Sequence, residues 1–298
     1  MSDHKYEKSY QRGKATVIDC QSCGYAHLYP LPTSEDLEAF YQNTYFEEIK
    51  TDFVKEQLEE KIFWDINFED KRETLEQLLS PGSRRILDIG CGNGLFLKYY
   101  QRHGWEVMGI EPSMAMAKYA EEIGIPVINN AIENIDPNSL EKFDVVNLSF
   151  VLEHVSDPEE VLSWVHDVLN PGGIVLIEVP NEFNEFQLAI NKFYNKEMWW
   201  ISAPDHINYF NVDTLASLLE KTAYEVAHQE ATFPMELFVL MGDDYVGNSD
   251  IGKKMHKKRG QFEQALVTTG KNHVKRELYK SLAKLGLGRS IIMFARKK

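Results

Sequence analysis

Through the middle of the chain, short apolar runs alternate with longer stretches of helical spacing. Arg85-Ile-Leu-Asp-Ile89 reads as a strand, and residues 94–103 read as a helix that Gly104 ends. Glu106-Val-Met-Gly-Ile110 is a second strand, followed by a helix over 113–123, and Val127-Ile128 is a brief third. Phe143-Asp-Val-Val-Asn-Leu148 makes the fourth, and Asp157-Pro158 opens a helix with proline in its first turn. Pro171-Gly-Gly173 then turns into a fifth strand, Ile174 to Glu178. A helix over 213–222 and two closing strands, 224–232 and 291–296, complete the pattern. Apolar strands alternating with helices predict a parallel sheet buried on both faces. The expected fold is therefore α/β, a doubly wound, mostly parallel seven-stranded sheet.

The flanks carry different signals. Residues 1–34 read as irregular, with the knuckle Cys20-Gln-Ser-Cys-Gly24 and the proline-rich stretch Tyr29-Pro-Leu-Pro-Thr33. Residues 35–79 read as helices after an N-cap at Thr33-Ser34, and Pro81-Gly82 breaks the chain. Three units are expected: a knuckle and helical lid over 1–79, a core over 80–232, and a basic helical insertion with the closing strand over 233–298.

Composition narrows the class. The 298 residues are 43% hydrophobic and 12% aromatic, enough for a large buried core. No apolar run reaches the roughly eighteen residues of a membrane span, and the N-terminus lacks a secretory signal. A soluble, cytoplasmic protein with no membrane partner is expected. Three cysteines, Cys20, Cys23 and Cys91, cannot build a disulfide framework and suit a reducing compartment. The net charge of −14 speaks against nucleic acid as a partner. Residues 253–289 depart from that average, with eleven Lys or Arg against two acids. Such a segment is a solvated helix face, a site for a phosphorylated small molecule, or a homodimer contact.

The first strand runs into Asp88-Ile-Gly-Cys-Gly-Asn-Gly94 and a helix. Glycines at 90, 92 and 94 let the backbone turn sharply against a ligand. Their register misses the dinucleotide fingerprint, because Leu95 or Leu97 stands where the third glycine belongs. Asp88 at the strand end also opposes a pyrophosphate, which seeks free N–H groups and positive charge. A cationic, phosphate-free cofactor such as S-adenosylmethionine is favoured there. Glu111 ends the second strand, at about the spacing where an acid accepts ribose hydroxyls.

The runs 86–94, Gly109-Ile-Glu-Pro112, Phe143-Asp-Val-Val146, Leu152-Glu-His-Val155 and Leu169-Asn-Pro-Gly-Gly173 together resemble the class I S-adenosylmethionine-dependent methyltransferases. The resemblance covers roughly residues 84–180 and implies the Rossmann-like methyltransferase fold. It implies cofactor binding by Asp88, Gly90, Cys91, Gly92, Asn93, Gly94, Glu111 and Pro112, with Ile132 at the adenine and Leu148 and Ser149 at the methionine end. Ala131 departs from the pattern, since many relatives carry an acid there. His154 is expected to shape the cofactor pocket.

The N-terminal knuckle with Leu31-Pro-Thr-Ser34 and Phe40-Tyr-Gln-Asn-Thr-Tyr-Phe46 resembles a bacterial group that includes C-methyltransferases of nucleotide-linked deoxysugars. That group's knuckle has four cysteines; here only Cys20 and Cys23 are present, with His4 and His27 as weak helpers. A metal-free relic is expected rather than a zinc site, which needs four ligands. Tyr45 is expected either to close over the methionine end or to pack within a helix.

Beyond the fifth strand lie Asn181, Met198-Trp-Trp200 and Asp205-His-Ile-Asn-Tyr-Phe210, outside the carboxyl ends of the strands where ligands bind. His206 is the candidate general base, since imidazole titrates near neutrality, and Tyr209 is a candidate for orienting the acceptor. Asn181, Trp199 and Trp200 are candidate acceptor contacts, one tryptophan being as readily core. Lys257, Lys258, Arg259 and Arg289 are candidate phosphate contacts. The expected activity is methyl transfer to a small molecule, a nucleotide-linked sugar or similar phosphorylated precursor, on oxygen or carbon. A protein or RNA methyltransferase and a non-catalytic S-adenosylmethionine-binding protein are the alternatives.

Overall fold

The computed structural model describes residues 4–32 and 53–298. The central sheet has seven strands: β4 (Arg85–Ile89), β5 (Glu106–Ile110), β6 (Val127–Ile128), β7 (Phe143–Ser149), β8 (Leu169–Pro180), β10 (Tyr224–Ala231) and β11 (Ser290–Lys297). Their order is β10-β11-β8-β7-β4-β5-β6. The β4–β5, β4–β7, β5–β6 and β7–β8 pairs are parallel, and β11 runs antiparallel between β8 and β10. The seven expected strands are all present. The fifth begins earlier than the sequence suggests, because the Pro171-Gly-Gly173 turn lies inside β8 as a register shift opposite Phe143–Val145.

The helices among the described residues are α1 (Phe53–Glu59), α2 (Lys61–Leu78), α3 (Leu95–Arg102), α4 (Met114–Glu122), α5 (Pro158–Val168), α6 (Glu185–Tyr194), α7 (Val212–Lys221), α8 (Glu236–Leu240), α9 (Ser249–Thr268) and α10 (Asn272–Lys284). Consecutive strand residues point to opposite faces, so each strand feeds two cores. On one face, Leu87, Val146, Val175 and Ile177 pack with Val161, Leu162 and Val165 of α5 and Leu215 and Leu219 of α7. On the other, Ile86, Val145, Ile174 and Leu176 pack with Phe68 and Leu75 of α2 and Phe96, Leu97 and Tyr100 of α3. Helix starts follow side-chain caps. Asp157 accepts from the N–H groups of Glu159 and Glu160, and Asn211 and Thr214 form a reciprocal capping box on α7.

The N-terminal segment corrects the sequence reading of an irregular stretch. It forms β1 (Tyr6–Arg12), β2 (Ala15–Cys20) and β3 (Tyr25–Leu28), antiparallel and extended by β9 (Asn208–Tyr209). The reason is tertiary. Val17, Leu28, Trp200, Ile201 and Tyr209 make a small core of their own, which no local periodicity announces. Thr33-Ser34, Tyr45 and the rest of 33–52 lie outside the described residues, so the expected lid is described only from α1 onward.

The basic segment turns much of its charge inward. Lys275, fully buried, pairs with Asp70 of α2 at 2.5 Å. Arg276 pairs with Glu230 of β10 and donates to the Asp70 carbonyl at 3.1 Å. Ion pairs thus fasten α10 across α2 and the sheet edge.

Candidate functional site

The carboxyl ends of β4, β5, β7 and β8 point to one edge of the sheet, and the glycine loop lies there. The N–H groups of Gly90 and Cys91 donate to the Ile110 carbonyl at 2.8 and 3.1 Å, tying the loop to β5. Gly90 takes φ +69° and Gly94 φ +72°. A Cβ on Gly90 would sit 2.9 Å from Val151 Cγ2, and one on Gly94 would sit 2.8 Å from Ala120 Cβ. Glycine is required at both positions by conformation and by space.

Asp88 ends β4 with its carboxylate almost wholly buried, accepting from Asn147 Nδ2 at 2.6 Å. Glu111 follows β5 and accepts from the Gly92 N–H and the Ser113 N–H, both at 2.8 Å. Burial raises both carboxyls to about 7. A ligand that brings positive charge or hydroxyl donors here relieves the cost of keeping them ionised. Asn93 donates from Nδ2 to Gln57 Oε1 at 2.6 Å, which sets α1 over the loop. Ile132 opens a short 3-10 turn and is buried, and Pro112 is exposed beside Glu111.

Several expected contacts have another place. The Cys91 side chain turns into the core, where Gly109 leaves room for its Sγ, so only its backbone faces the loop. Leu148 is fully buried in the sheet core and offers the site only its backbone. Ser149 donates to Asn147 Oδ1 at 3.0 Å. Sequence reasoning missed its neighbour Lys71, buried on α2, which pairs with Glu178 at 2.6 Å and reaches Ser149 Oγ at 3.4 Å. It also missed Phe150, held at φ +58° just after β7 and largely exposed. A non-glycine residue in that region costs on the order of 1–3 kcal/mol and marks an over-determined spot. Neither position carries a local sequence signal.

Next to the loop lies a polar constellation. His206 Nδ1 stands 3.7 Å from Glu182 Oε1, and its Nε2 is 3.8 Å from Asp205 Oδ2. His154 meets its ring edge-on at 5.0 Å, and its Nδ1 lies 2.7 Å from the Asp205 carbonyl. His154, expected from sequence at the cofactor pocket, is thus part of the His206 cluster. Burial lowers the His206 pKa, but Glu182, Glu153 and Asp205 outweigh it, leaving a net rise. Burial raises Glu153 to about 8. Glu153, His154 and His206 present three donor atoms within 4.8 Å of one another, enough to hold a proton network or a cation.

Glu236, Gln187, Asn181 and Arg289 extend the constellation away from the loop. Gln187 Nε2 donates to Glu236 Oε1 at 3.4 Å, and Arg289 Nη1 lies 3.7 Å from the same oxygen. Asn181 Nδ2 donates to the carbonyls of Gly286 and Gly288, so its main work is to hold the turn before β11. Buried acceptor atoms without a hydrogen-bond partner among the described residues include Glu153 Oε2, Glu182 Oε2, Glu236 Oε2, Asn181 Oδ1 and Gln187 Oε1. The same cluster holds two buried donors without a hydrogen-bond partner among the described residues, His206 Nδ1 and Arg289 Nη1, so the network is incomplete and its open acceptors outnumber its open donors.

Other expected acceptor contacts are corrected. Tyr209 is core, and its hydroxyl donates to the His206 carbonyl at 3.0 Å; it positions the histidine's backbone and does not face a ligand. Trp200 is core in the same cluster, while Trp199 is half-buried beside it. Arg259 is turned inward, bonded to Glu263 at 3.0 Å and lying over the Phe63 ring. Lys258 pairs with Asp243 at 3.0 Å, and Lys257 is exposed on α9. Of the four basic candidates, Arg289 alone meets the constellation. In the knuckle the fold brings His4 and His27, weak helpers in the sequence reading, up to Cys20 and Cys23, so four donor atoms meet.

Comparison with known proteins agrees with this architecture. A ubiquinone biosynthesis O-methyltransferase from Bradyrhizobium sp. is 40% identical over 113 residues, covering 36% of this chain and 44% of that protein. Its namesake from Shewanella sp. is 30% identical over 148 residues, 47% of this chain and 62% of that protein. The chain thus spans less than two thirds of the length of these curated relatives. The plantazolicin methyltransferase BpumL, solved in complex with SAH, matches 88% of this chain and 94% of its own, with a TM-score of 0.51 and 14% identity. At that identity the likeness concerns the fold. The profile of a family described as "Methyltransferase domain" matches residues 58–229, more than half of the chain, and the chain belongs to that family.

Proposed function

We propose that the protein is an S-adenosylmethionine-dependent methyltransferase acting on a small molecule rich in hydrogen-bond donors, at a hydroxyl. The cofactor lies on the glycine loop, with Asp88 and Glu111 as its anionic partners. A sulfonium is already activated for transfer, so the protein's tasks are in-line positioning, exclusion of water and removal of a proton. His206 takes the acceptor proton, and Glu182 stabilises the imidazolium that results.

The observation that carries the acceptor reading is the set of acceptor atoms on Glu153, Glu182, Glu236, Asn181 and Gln187 that have no hydrogen-bond partner among the described residues. A polyhydroxylated ligand such as the sugar of a nucleotide-linked precursor satisfies them; an apolar ring does not. Arg289 is the cation available to a phosphate at the far end. The curated relatives' names favour oxygen as the methylated atom. The test is calorimetry with S-adenosylhomocysteine, followed by cofactor consumption with nucleotide-sugar and with hydroxylated aromatic pools. Binding lost in Asp88→Ala and turnover confined to the sugar pool support the proposal. Turnover confined to the aromatic pool overturns the acceptor class, and failure to bind the homocysteine product overturns the cofactor.

A further inference from the structure

The geometry points to a metal site outside the methyl-transfer centre: we propose that His4, Cys20, Cys23 and His27 hold one zinc ion in a tetrahedral Cys2His2 set, and that this ion positions the segment carrying His206. The four side chains arrive from different places. His4 precedes β1, Cys20 ends β2, Cys23 lies in the following turn, and His27 is in the middle of β3. Each offers one donor atom, and the four atoms lie within 4.8 Å of one another.

The spacings from His4 Nδ1 are those of a coordination tetrahedron. With Zn–S near 2.3 Å and Zn–N near 2.0–2.1 Å, tetrahedral edges are about 3.3 Å between nitrogens and about 3.6 Å between nitrogen and sulfur. His4 Nδ1 lies 3.1 Å from His27 Nε2, 3.5 Å from Cys20 Sγ and 3.6 Å from Cys23 Sγ. His4 Nδ1 therefore forms a common vertex whose three edges match.

The surroundings are also those of a ligand set. His27 Nδ1 is 2.8 Å from the Leu28 carbonyl. A proton on that nitrogen leaves the lone pair of Nε2 aimed at the cluster, the tautomer a metal requires. The Cys23 N–H donates to Cys20 Sγ at 3.4 Å, an outer hydrogen bond of the kind that orients a metal-bound sulfur. Gly24 takes φ +83° and donates its N–H to the Cys20 carbonyl at 2.9 Å, closing the turn that brings the two sulfurs together. Two thiolates and two imidazoles select zinc over hard cations such as magnesium or calcium.

The site has a structural route to the methyl-transfer centre. In the β3–β9 ladder His27 stands opposite Asn208, and Ala26 stands opposite Tyr209. Asn208 Nδ2 donates to the carbonyls of Leu152 and Val155, and the N–H groups of Ile207 and Asn208 donate to the Glu153 carbonyl. His206 thus sits between a ligand-bearing strand and the loop after β7. The zinc ion is a clamp on that arrangement, and the four ligands are positioning residues.

The experiment is elemental analysis of the purified full chain, with cobalt(II) substitution and variants His4→Ala and His4→Cys. Expected are one zinc per chain and a cobalt spectrum with thiolate charge-transfer and strong four-coordinate visible bands. His4→Ala loses the metal and His4→Cys keeps it. His4→Ala retains S-adenosylhomocysteine affinity within about threefold while the acceptor KM rises, which separates a local clamp from global unfolding. Should His4→Ala fail to fold, the stoichiometry and cobalt spectrum of the unmodified chain decide. No bound zinc after refilling, or a Cys20–Cys23 disulfide found by mass, overturns the proposal. Zinc bound equally well by His4→Ala overturns the ligand set.

Discussion

The glycine-loop half of the site and its acceptor half differ in how their polar atoms are satisfied. In the loop half, Glu111 accepts two backbone N–H groups, Asp88 accepts from Asn147, and the loop hangs from the Ile110 carbonyl. In the acceptor half, Glu153 Oε2, Glu182 Oε2, Glu236 Oε2, Asn181 Oδ1 and Gln187 Oε1 are buried without a hydrogen-bond partner among the described residues. The first is a preformed cradle whose shape is fixed before a ligand arrives. On the proposed function, the second is an incomplete network whose last partners a ligand supplies, which makes it the place where specificity is set.

The contrast breaks most visibly at His206. His206→Gln is expected to lower turnover by about 100-fold or more while leaving S-adenosylhomocysteine affinity unchanged, measured by kinetics and calorimetry on one preparation. Equal losses in both assays would erase the division into halves. Asp88→Ala is the mirror experiment. It leaves Asn147 without its partner and removes an anion, so homocysteine-product affinity falls by about 1–3 kcal/mol, roughly 5- to 150-fold. Gly90→Ala tests the cradle's shape alone. The strained φ and the 2.9 Å approach to Val151 are expected to weaken the same affinity by about 1–2 kcal/mol, read by calorimetry.

Protonation sharpens the comparison further. Burial holds Asp88 and Glu111 near 7, and the cofactor favours their ionised forms. Affinity for S-adenosylhomocysteine should therefore rise as pH increases through about 7 and then level off. Glu111→Gln is expected to flatten that slope. In the acceptor half the sign belongs to a base. On the proposed mechanism His206 works in its neutral form, and its pKa is raised above 6.5, so turnover is expected to climb through a limb above that value. Glu182→Gln is expected to move that limb to lower pH. Among the basic residues the expected effects are smallest and unequal. Arg289→Ala raises the acceptor KM, whereas Lys258→Ala changes neither KM nor stability beyond about 0.5 kcal/mol.

The cofactor half was legible because its parts are close in sequence or tied to a strand period. Asp88, the three glycines and Glu111 follow β4 and β5 directly, and a strand end fixes where the next residues point. Cys91 and Leu148 lie in the same motifs, yet only packing reveals that their side chains face the core. Of the acceptor half, His206, Asn181 and Arg289 were legible as candidates in the sequence, but not Glu153, Glu182, Gln187 or Glu236. Residues 153, 182, 236 and 289 are brought together by β7, β8, α8 and the approach to β11.

By itself the sequence determined the seven-stranded α/β sheet, the glycine loop and its two acids, because these depend on periodicity, glycine conformations and strand ends. Tertiary structure decided the rest. It folded the N-terminus into β1–β3 by giving Val17 and Leu28 a core shared with Trp200 and Tyr209. It turned Arg259 and Lys275 inward onto Glu263 and Asp70, since buried charges persist only with opposite partners. It gathered His4 and His27, which the sequence offered only as weak helpers, around two cysteines, a convergence set by strand pairing.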